Sequence, residues 1–149
     1  MQTLYVMRHG AAQRKAASDA ERQLTEAGCA EAVTASTRFP TTLALDIFAV
    51  SPFARAQQTA KIVARECGIT TTQTVCDLIT PAGVVQRVDD WLNSLTWQTA
   101  LLVSHQPLVG LLAEYYCGGN YRHFPTAGIV AVQGDVLVRG LCTASWVSP

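Results

Sequence analysis

Short apolar runs alternate with longer amphipathic stretches along the chain, a pattern typical of strands that alternate with helices. The apolar runs predict strands at Thr3–Met7, Asp46–Ser51, Thr74–Leu78, Ala100–His105, Gly128–Gln133 and Val136–Trp146. The stretches between them predict helices over residues 26–38, 52–67, 83–94 and 107–116. Thr25 is a candidate N-cap for the first helix, and Gly68 is a candidate stop for the second.

This alternation implies a mainly parallel sheet covered by helices on both faces, which is a three-layer α/β/α architecture. Gly134-Asp135 predicts a turn that joins the last two strands as a hairpin. Residues 11–23 are polar and irregular, and we expect them to form a loop over the end of the first strand. The chain shows no repeat or linker, so residues 1–149 are expected to form a single domain.

Composition narrows the possible partners. Lys plus Arg and Asp plus Glu both number 11, so the formal net charge is zero. This argues against broad binding of nucleic acid or anionic membranes, which depends on a basic excess. No targeting segment or run of roughly eighteen apolar residues is present, and we expect a cytoplasmic protein. The five scattered cysteines indicate reduced core thiols and neither a disulfide framework nor a metal site.

Cationic residues follow three of the predicted strands at their carboxyl ends. Arg8, His9 and Gly10 come after the first strand, Arg55 follows the second, and His105 ends the strand that begins at Ala100. In parallel sheets, ligands gather beyond the carboxyl ends of the strands. The order of elements therefore predicts that two arginines and two histidines meet at one rim of the sheet.

Those residue types suit phosphoryl chemistry. Guanidinium groups present planar donors to phosphoryl oxygens, a neutral histidine can attack phosphorus, and a second histidine can donate to the oxygens. Each residue also has an ordinary interpretation, because strand-end Arg8 and helical Arg55 could be solvated charges and His105 a structural histidine. The hypothesis therefore depends on the combination. The carboxylates are not clustered and the histidines are far apart in sequence, so neither a metal nor a cofactor is expected.

Several motifs carry a resemblance to a known family. The segments "RHG" (8–10), "SPFARAQQTA" (51–60) and "VSH" (103–105) resemble, in order and spacing, the signatures of the histidine phosphatase superfamily, also called phosphoglycerate mutase-like. "LTEAG" (24–28) resembles that family's Leu-Thr-x-x-Gly helix start. The short length, "SDAERQLT", "VSHQPLVG" and "FPTAGIVAV" are most similar to the compact bacterial SixA-type phosphohistidine phosphatases.

The resemblance implies a phosphoglycerate mutase-like fold and a role for each matching residue. His9 would be the nucleophile that becomes transiently phosphorylated, and Arg8, Arg55 and His105 would bind the phosphoryl group. Water would then hydrolyse the phosphohistidine intermediate. His9 must be neutral to attack, so activity should fall in acid, and the two arginines should lower the pKa of His9.

Two further residues are weaker candidates. Asp77 lies near the region where larger family members place a proton-donating carboxylate, but it could equally be a surface residue at a strand end. Arg22 matches an arginine of related compact members, although Gln23 replaces the proline that follows it there. Arg22 could contact substrate or form a surface ion pair with a neighbouring acid.

We therefore predict a metal-independent phosphatase that removes phosphate from a phosphohistidine-containing protein, such as a histidine phosphotransfer domain, in a signalling or phosphotransfer pathway. The chain has no room for a long lid over the site, and an imidazole leaving group does not require a strong enzymic acid. The alternatives are a broad-specificity small-molecule phosphomonoesterase and, less favoured, a mutase or a non-catalytic phosphate-binding scaffold. We expect a monomer, although the sequence does not determine the oligomeric state.

Overall fold

Six strands form one sheet in the computed structural model, which describes residues 1–120 and 123–148. The strands are β1 (Gln2–Arg8), β2 (Ile47–Val50), β3 (Thr74–Val75), β4 (Thr99–Ser104), β5 (Ile129–Gly134) and β6 (Thr143–Ser148). Their order across the sheet is β3-β2-β4-β1-β5-β6. The first four strands are mutually parallel, β5 is antiparallel to β1, and β6 is antiparallel to β5. The prediction of a mainly parallel sheet is confirmed.

Four helices cover the two faces of this sheet within the described ranges. They are α1 (Glu26–Ser36), α2 (Ala54–Cys67), α3 (Val85–Asn93) and α4 (Leu108–Cys117). Tyr5 and Met7 of β1 pack in one core with α1 and α2, whereas Leu4 and Val6 pack in a second core with α3 and α4. Successive strand residues point to opposite faces, so the apolar run of β1 supplies both cores. The three-layer α/β/α architecture is thereby confirmed. No helix among these described residues is long and apolar enough to cross a membrane.

The predicted N-cap of α1 and the predicted end of α2 are both found in the structure. The Thr25 hydroxyl accepts a hydrogen bond from the Gly28 N–H at 3.0 Å, which caps the first turn of α1. Gly68 follows α2 in the left-handed conformation, with φ of 61°. The start of α2 differs slightly, because the helix begins at Ala54 with Phe53 as its N-cap, two residues after Pro52.

The last two strands, β5 and β6, pair antiparallel as the predicted hairpin requires, but the connection between them is not the predicted turn. Gly134 is the last residue of β5 and β6 starts only at Thr143, so residues 135–142 form a long connection instead of a two-residue turn. Within it, the Leu137 side chain is buried, and the Cys142 N–H donates to the Tyr116 carbonyl of α4 at 2.9 Å. Tertiary packing against α4 therefore overrides the local turn signal.

Two smaller expectations also need correction. The strand predicted at Thr74–Leu78 ends at Val75, because residues Asp77–Ile79 form a short 3-10 turn that buries Ile79. Cys29 is exposed on α1, so it is not a core thiol, whereas Cys76 and Cys142 are buried as expected.

Candidate active site

The carboxyl ends of three adjacent strands bring the predicted site residues to one rim. β4 lies between β1 and β2, with Arg8 paired to Ser104 and Val50 paired to Val103. The chain leaves these strands through His9, His105 and Ser51. Two further hydrogen bonds continue the ladder past the strand ends, from the His9 N–H to the Ser104 carbonyl and from the Ser51 N–H to the Val103 carbonyl, each 3.1 Å long. The sheet itself therefore fixes the backbone of these residues.

His9 is oriented by a bond to its own neighbour. Its Nδ1 lies 2.6 Å from the Gly10 carbonyl oxygen, and the residue is only 7% exposed. A carbonyl oxygen can only accept, so Nδ1 carries the proton and Nε2 of the neutral ring presents a lone pair. The Arg55 Nε–H donates to that Nε2 at 3.3 Å. The arrangement leaves Nε2 as the nitrogen able to attack an electrophile.

Thr59 supports the loop that holds His9. Its hydroxyl accepts a hydrogen bond from the Gly10 N–H at 3.1 Å and donates to the Arg55 carbonyl at 2.8 Å, and the residue is fully buried. Gly10 is thus tied to α2, the helix that carries Arg55. The motif "SPFARAQQTA" contains Thr59, but its composition alone gave no role to this threonine.

Arg55 binds an acidic residue that sequence reasoning did not single out. Its Nη1 donates to the Asp19 carbonyl at 2.7 Å, and its Nη2 lies 3.2 Å from Asp19 Oδ2. The other carboxylate oxygen of Asp19 lies 2.9 Å from Arg22 Nη1. Arg55 is 4% exposed, so the polar loop over residues 11–23 does cover this part of the rim. The segment "SDAERQLT", which resembles related compact phosphatases, contains Asp19 and Arg22 and was the one feature of the sequence that could have pointed to Asp19.

Arg8 and His105 complete the set of four predicted residues. Arg8 Nη1 donates to the Phe124 carbonyl at 2.8 Å, which holds its side chain at the rim. His105 is 1% exposed, and the centroid of its ring lies 5.1 Å from that of His9. His105 Nε2 lies 2.7 Å from Ser51 Oγ. The predicted convergence of two arginines and two histidines is therefore what the structure shows.

Both histidines are neutral near pH 7. Burial lowers the pKa of His9 to about 4, against an opposing effect of the Gly10 carbonyl, and the positive charges of Arg55 and Arg8 lower it further. Burial likewise lowers the pKa of His105 to about 3, with His9 and Arg55 acting in the same direction. The direction predicted for His9 is found, but burial is a larger cause than the arginines.

The two weaker candidates have different surroundings. Arg22 forms the ion pair with Asp19, and its charge also contributes to the lowered pKa of His9. Asp77 is exposed at the start of the 3-10 turn after β3. Within the described part of the chain, no hydrogen bond or ion pair joins the Asp77 carboxylate to His9, Arg55 or His105. A role for Asp77 as proton donor stays a prediction.

Burial of neutral His9 should make the protein acid-sensitive. In the unfolded chain the pKa of His9 is about 6.5, whereas in the folded protein it is about 4. As the pH falls below 6.5, His9 becomes protonated in the unfolded state, whereas in the folded protein it stays neutral until the pH approaches about 4. We expect about 2–3 kcal/mol of unfolding free energy to be lost from this residue between pH 7 and 4.5.

Urea denaturation of the wild type and of His9→Asn at the two pH values measures this loss. The asparagine side chain retains an N–H that can donate to the Gly10 carbonyl but does not titrate in this range. The variant should therefore lose less stability on acidification than the wild type. Equal losses would contradict the assignment of a buried neutral His9.

The chain is similar to known proteins in sequence and in fold. Residues 4–79 match the family model of the histidine phosphatase superfamily (branch 1). The chain therefore belongs to the histidine phosphatase superfamily. It is 35% identical over 148 residues to the phosphohistidine phosphatase SixA of Escherichia coli K12, and the match covers 96% of this chain and 91% of the relative.

Solved structures show the same fold. The protein histidine phosphatase SixA complexed with tungstate superposes with a TM-score of 0.82 at 30% identity, covering 97% of this chain and 94% of that chain. A structure described as an alpha-ribazole-5'-P phosphatase from Escherichia coli K-12 has a TM-score of 0.78 at 18% identity, over 100% of this chain and 98% of that chain. The second likeness shows the phosphoglycerate mutase-like fold alone.

Proposed function

We propose that this protein is a phosphohistidine phosphatase that works through a covalent phosphohistidine at His9. The observation that carries this proposal is the orientation of His9, whose Nδ1 is bonded to the Gly10 carbonyl while Nε2 faces Arg55. The curated relative from Escherichia coli, similar over nearly the whole chain, is a phosphohistidine phosphatase. The substrate is a protein that carries phosphohistidine.

The first chemical step is attack of His9 Nε2 on the substrate's phosphorus. A P–N bond to His9 forms while the P–N bond to the substrate imidazole breaks, and the electron pair of the broken bond stays on the leaving nitrogen. Arg8 and Arg55 stabilise the negative charge on the phosphoryl oxygens. The Arg55 Nε–H, which points at His9 Nε2 in the resting structure, is placed to meet an oxygen of the incoming group.

The second step returns the enzyme to its resting state. A water molecule attacks the phosphorus of phospho-His9, the bond to Nε2 breaks, and inorganic phosphate leaves. The Gly10 carbonyl continues to accept from Nδ1–H, which stabilises the ring as its charge changes during both steps. His9 therefore returns as the same neutral tautomer.

A phosphohistidine substrate does not require a strong enzymic acid. Its leaving group is an imidazole, which can depart once it is protonated on its remote nitrogen. The leaving group of a phosphate ester is an alkoxide, which needs a proton donor near the bridging oxygen. Asp77 is exposed, and we propose that its carboxylate is not required when the leaving group is an imidazole.

A comparison of substrates tests the proposal. The enzyme is assayed with a phosphohistidine-carrying phosphotransfer protein, a phosphoserine peptide, 3-phosphoglycerate and a sugar phosphate. We expect a clear preference in kcat/KM for the phosphohistidine protein. A preference for any of the esters would identify a broad-specificity or small-molecule phosphomonoesterase instead. Loss of all four activities in a folded protein would indicate a phosphate-binding scaffold.

The same assay decides the role of Asp77. Removal of a general acid typically lowers the rate about 10²–10⁴-fold. We expect Asp77→Asn to change turnover of the phosphohistidine protein by less than about tenfold, because the leaving imidazole does not depend on this carboxylate. A larger loss on the phosphohistidine protein would assign Asp77 as the proton donor.

A further inference from the structure

The two ring nitrogens of His105 have different surroundings. Nε2 lies 2.7 Å from the Ser51 hydroxyl oxygen, whereas Nδ1 is buried and has no hydrogen-bond partner among the described residues. The centroid of the ring lies 5.1 Å from that of His9 and 5.1 Å from that of Phe53. Because Ser51 engages Nε2, Nδ1 is the nitrogen left to contact a bound phosphoryl group.

The hydrogen bonds of the Ser51 hydroxyl indicate which nitrogen of His105 is protonated. Ser51 is fully buried, and its oxygen accepts a hydrogen bond from the Phe53 N–H at 3.2 Å. In the described part of the chain, the hydroxyl proton has one acceptor within reach, which is His105 Nε2. If Nε2 carried the imidazole proton, both the buried hydroxyl proton and the Nδ1 lone pair would lack a partner among the described residues. With the proton on Nδ1, only the Nδ1–H lacks one, and a bound phosphoryl oxygen supplies the acceptor that it needs. Ser51 therefore donates, and the proton of neutral His105 is on Nδ1.

We propose that Ser51 is a positioning residue that fixes His105 as the Nδ1–H tautomer, so that Nδ1–H donates to a phosphoryl oxygen. This inference rests on the proposed function, because it concerns the group that stabilises the phosphoryl oxygens during transfer. Because the pKa of His105 is low, the ring is neutral near pH 7 and only one of its nitrogens can donate. A neutral imidazole has one N–H, and the opposite tautomer would direct a lone pair at the anionic oxygens.

Ser104 provides a matched control. It is also a fully buried serine, it immediately precedes His105, and its hydroxyl donates to the Ile79 carbonyl at 2.7 Å instead of to an imidazole. Ser104→Ala removes a buried hydroxyl without touching the His105 ring. Ser51→Thr retains a hydroxyl at the tested position and serves as the conservative variant.

The test has two readouts on the wild type, Ser51→Ala, Ser51→Thr and Ser104→Ala. The first is the ¹⁵N NMR signature of His105 at neutral pH, which distinguishes a protonated from an unprotonated nitrogen and needs no substrate. The second is kcat with the phosphohistidine protein. We expect the Nδ1–H tautomer in the wild type, in Ser51→Thr and in Ser104→Ala. In Ser51→Ala we expect loss of that tautomer and a fall in kcat of about 10- to 100-fold, the usual effect of removing the partner that orients a histidine.

The outcomes separate this inference from the proposed function. An Nε2–H tautomer of His105 in the wild type overturns the inference directly. A Ser51→Ala protein in which either the tautomer of His105 or kcat is unchanged also overturns it. A folded wild-type protein with the Nδ1–H tautomer but no activity toward phosphohistidine overturns the proposed function, because the NMR result does not depend on turnover.

Discussion

Replacing His9 with asparagine should lower kcat/KM for the phosphohistidine protein by about three orders of magnitude or more. The asparagine N–H can still donate to the Gly10 carbonyl, as His9 Nδ1 does now, so the loop should keep its conformation. What the variant lacks is a nitrogen at the position of Nε2, which is the attacking atom. Steady-state release of inorganic phosphate measures the loss.

His123→Asn is the control for this substitution. His123 is exposed, so the same chemical change there should leave both turnover and stability unaltered. Circular dichroism of the two variants checks that the fold is retained. Full activity in a folded His9→Asn protein would contradict the proposed nucleophile.

Replacing Gly28 with alanine should destabilise the protein by about 3 kcal/mol or more, although alanine is the better helix former. A Cβ at position 28 would lie 2.0 Å from the carbonyl oxygen of Ala11, and a Cβ at Gly10 would lie 2.5 Å from the Gly28 carbonyl oxygen. Because the contacting atoms are backbone, α1 or the nucleophile loop must move. Activity should fall as well, since Gly10 orients His9.

Ala30→Gly in the same helix is the matched control. Ala30 is exposed, and this change should cost only about 1 kcal/mol of intrinsic helix propensity. Urea denaturation at pH 7 gives the unfolding free energies of both variants. If Gly28→Ala proves as stable as the wild type, the close approach of α1 to the nucleophile loop is wrong.

The main elements of the fold and the convergence of the site follow from local signals. Apolar runs that end in Arg8, Ser51 and His105 predict parallel strands, and parallel strands place their carboxyl ends together. The glycine of "LTEAG" could be recognised as a motif, but its physical reason became visible only when Gly28 was seen against Ala11.

The contacts that could not be predicted are those between distant segments. Asp19 begins a short 3-10 turn (Asp19–Glu21) in the polar segment over residues 11–23, and nothing in its local sequence shows that its carboxylate binds Arg55. The hydrogen bond between Ser51 and His105 joins two strand ends that are 54 residues apart, and it depends on their register. The connection over residues 135–142 follows α4 for the same reason, because packing outweighs a turn-forming dipeptide.

Trapping a covalent phosphohistidine intermediate shows whether His9 is the nucleophile. The wild-type enzyme is mixed with the ³²P-labelled phosphohistidine protein, and the reaction is quenched during turnover under alkaline conditions. The enzyme is then separated from the substrate protein and analysed for bound label. We expect label on His9 that survives alkali and is released by acid, and no label on His9→Asn. Turnover without any label on His9, or label that resists acid, would contradict a nucleophilic role of His9.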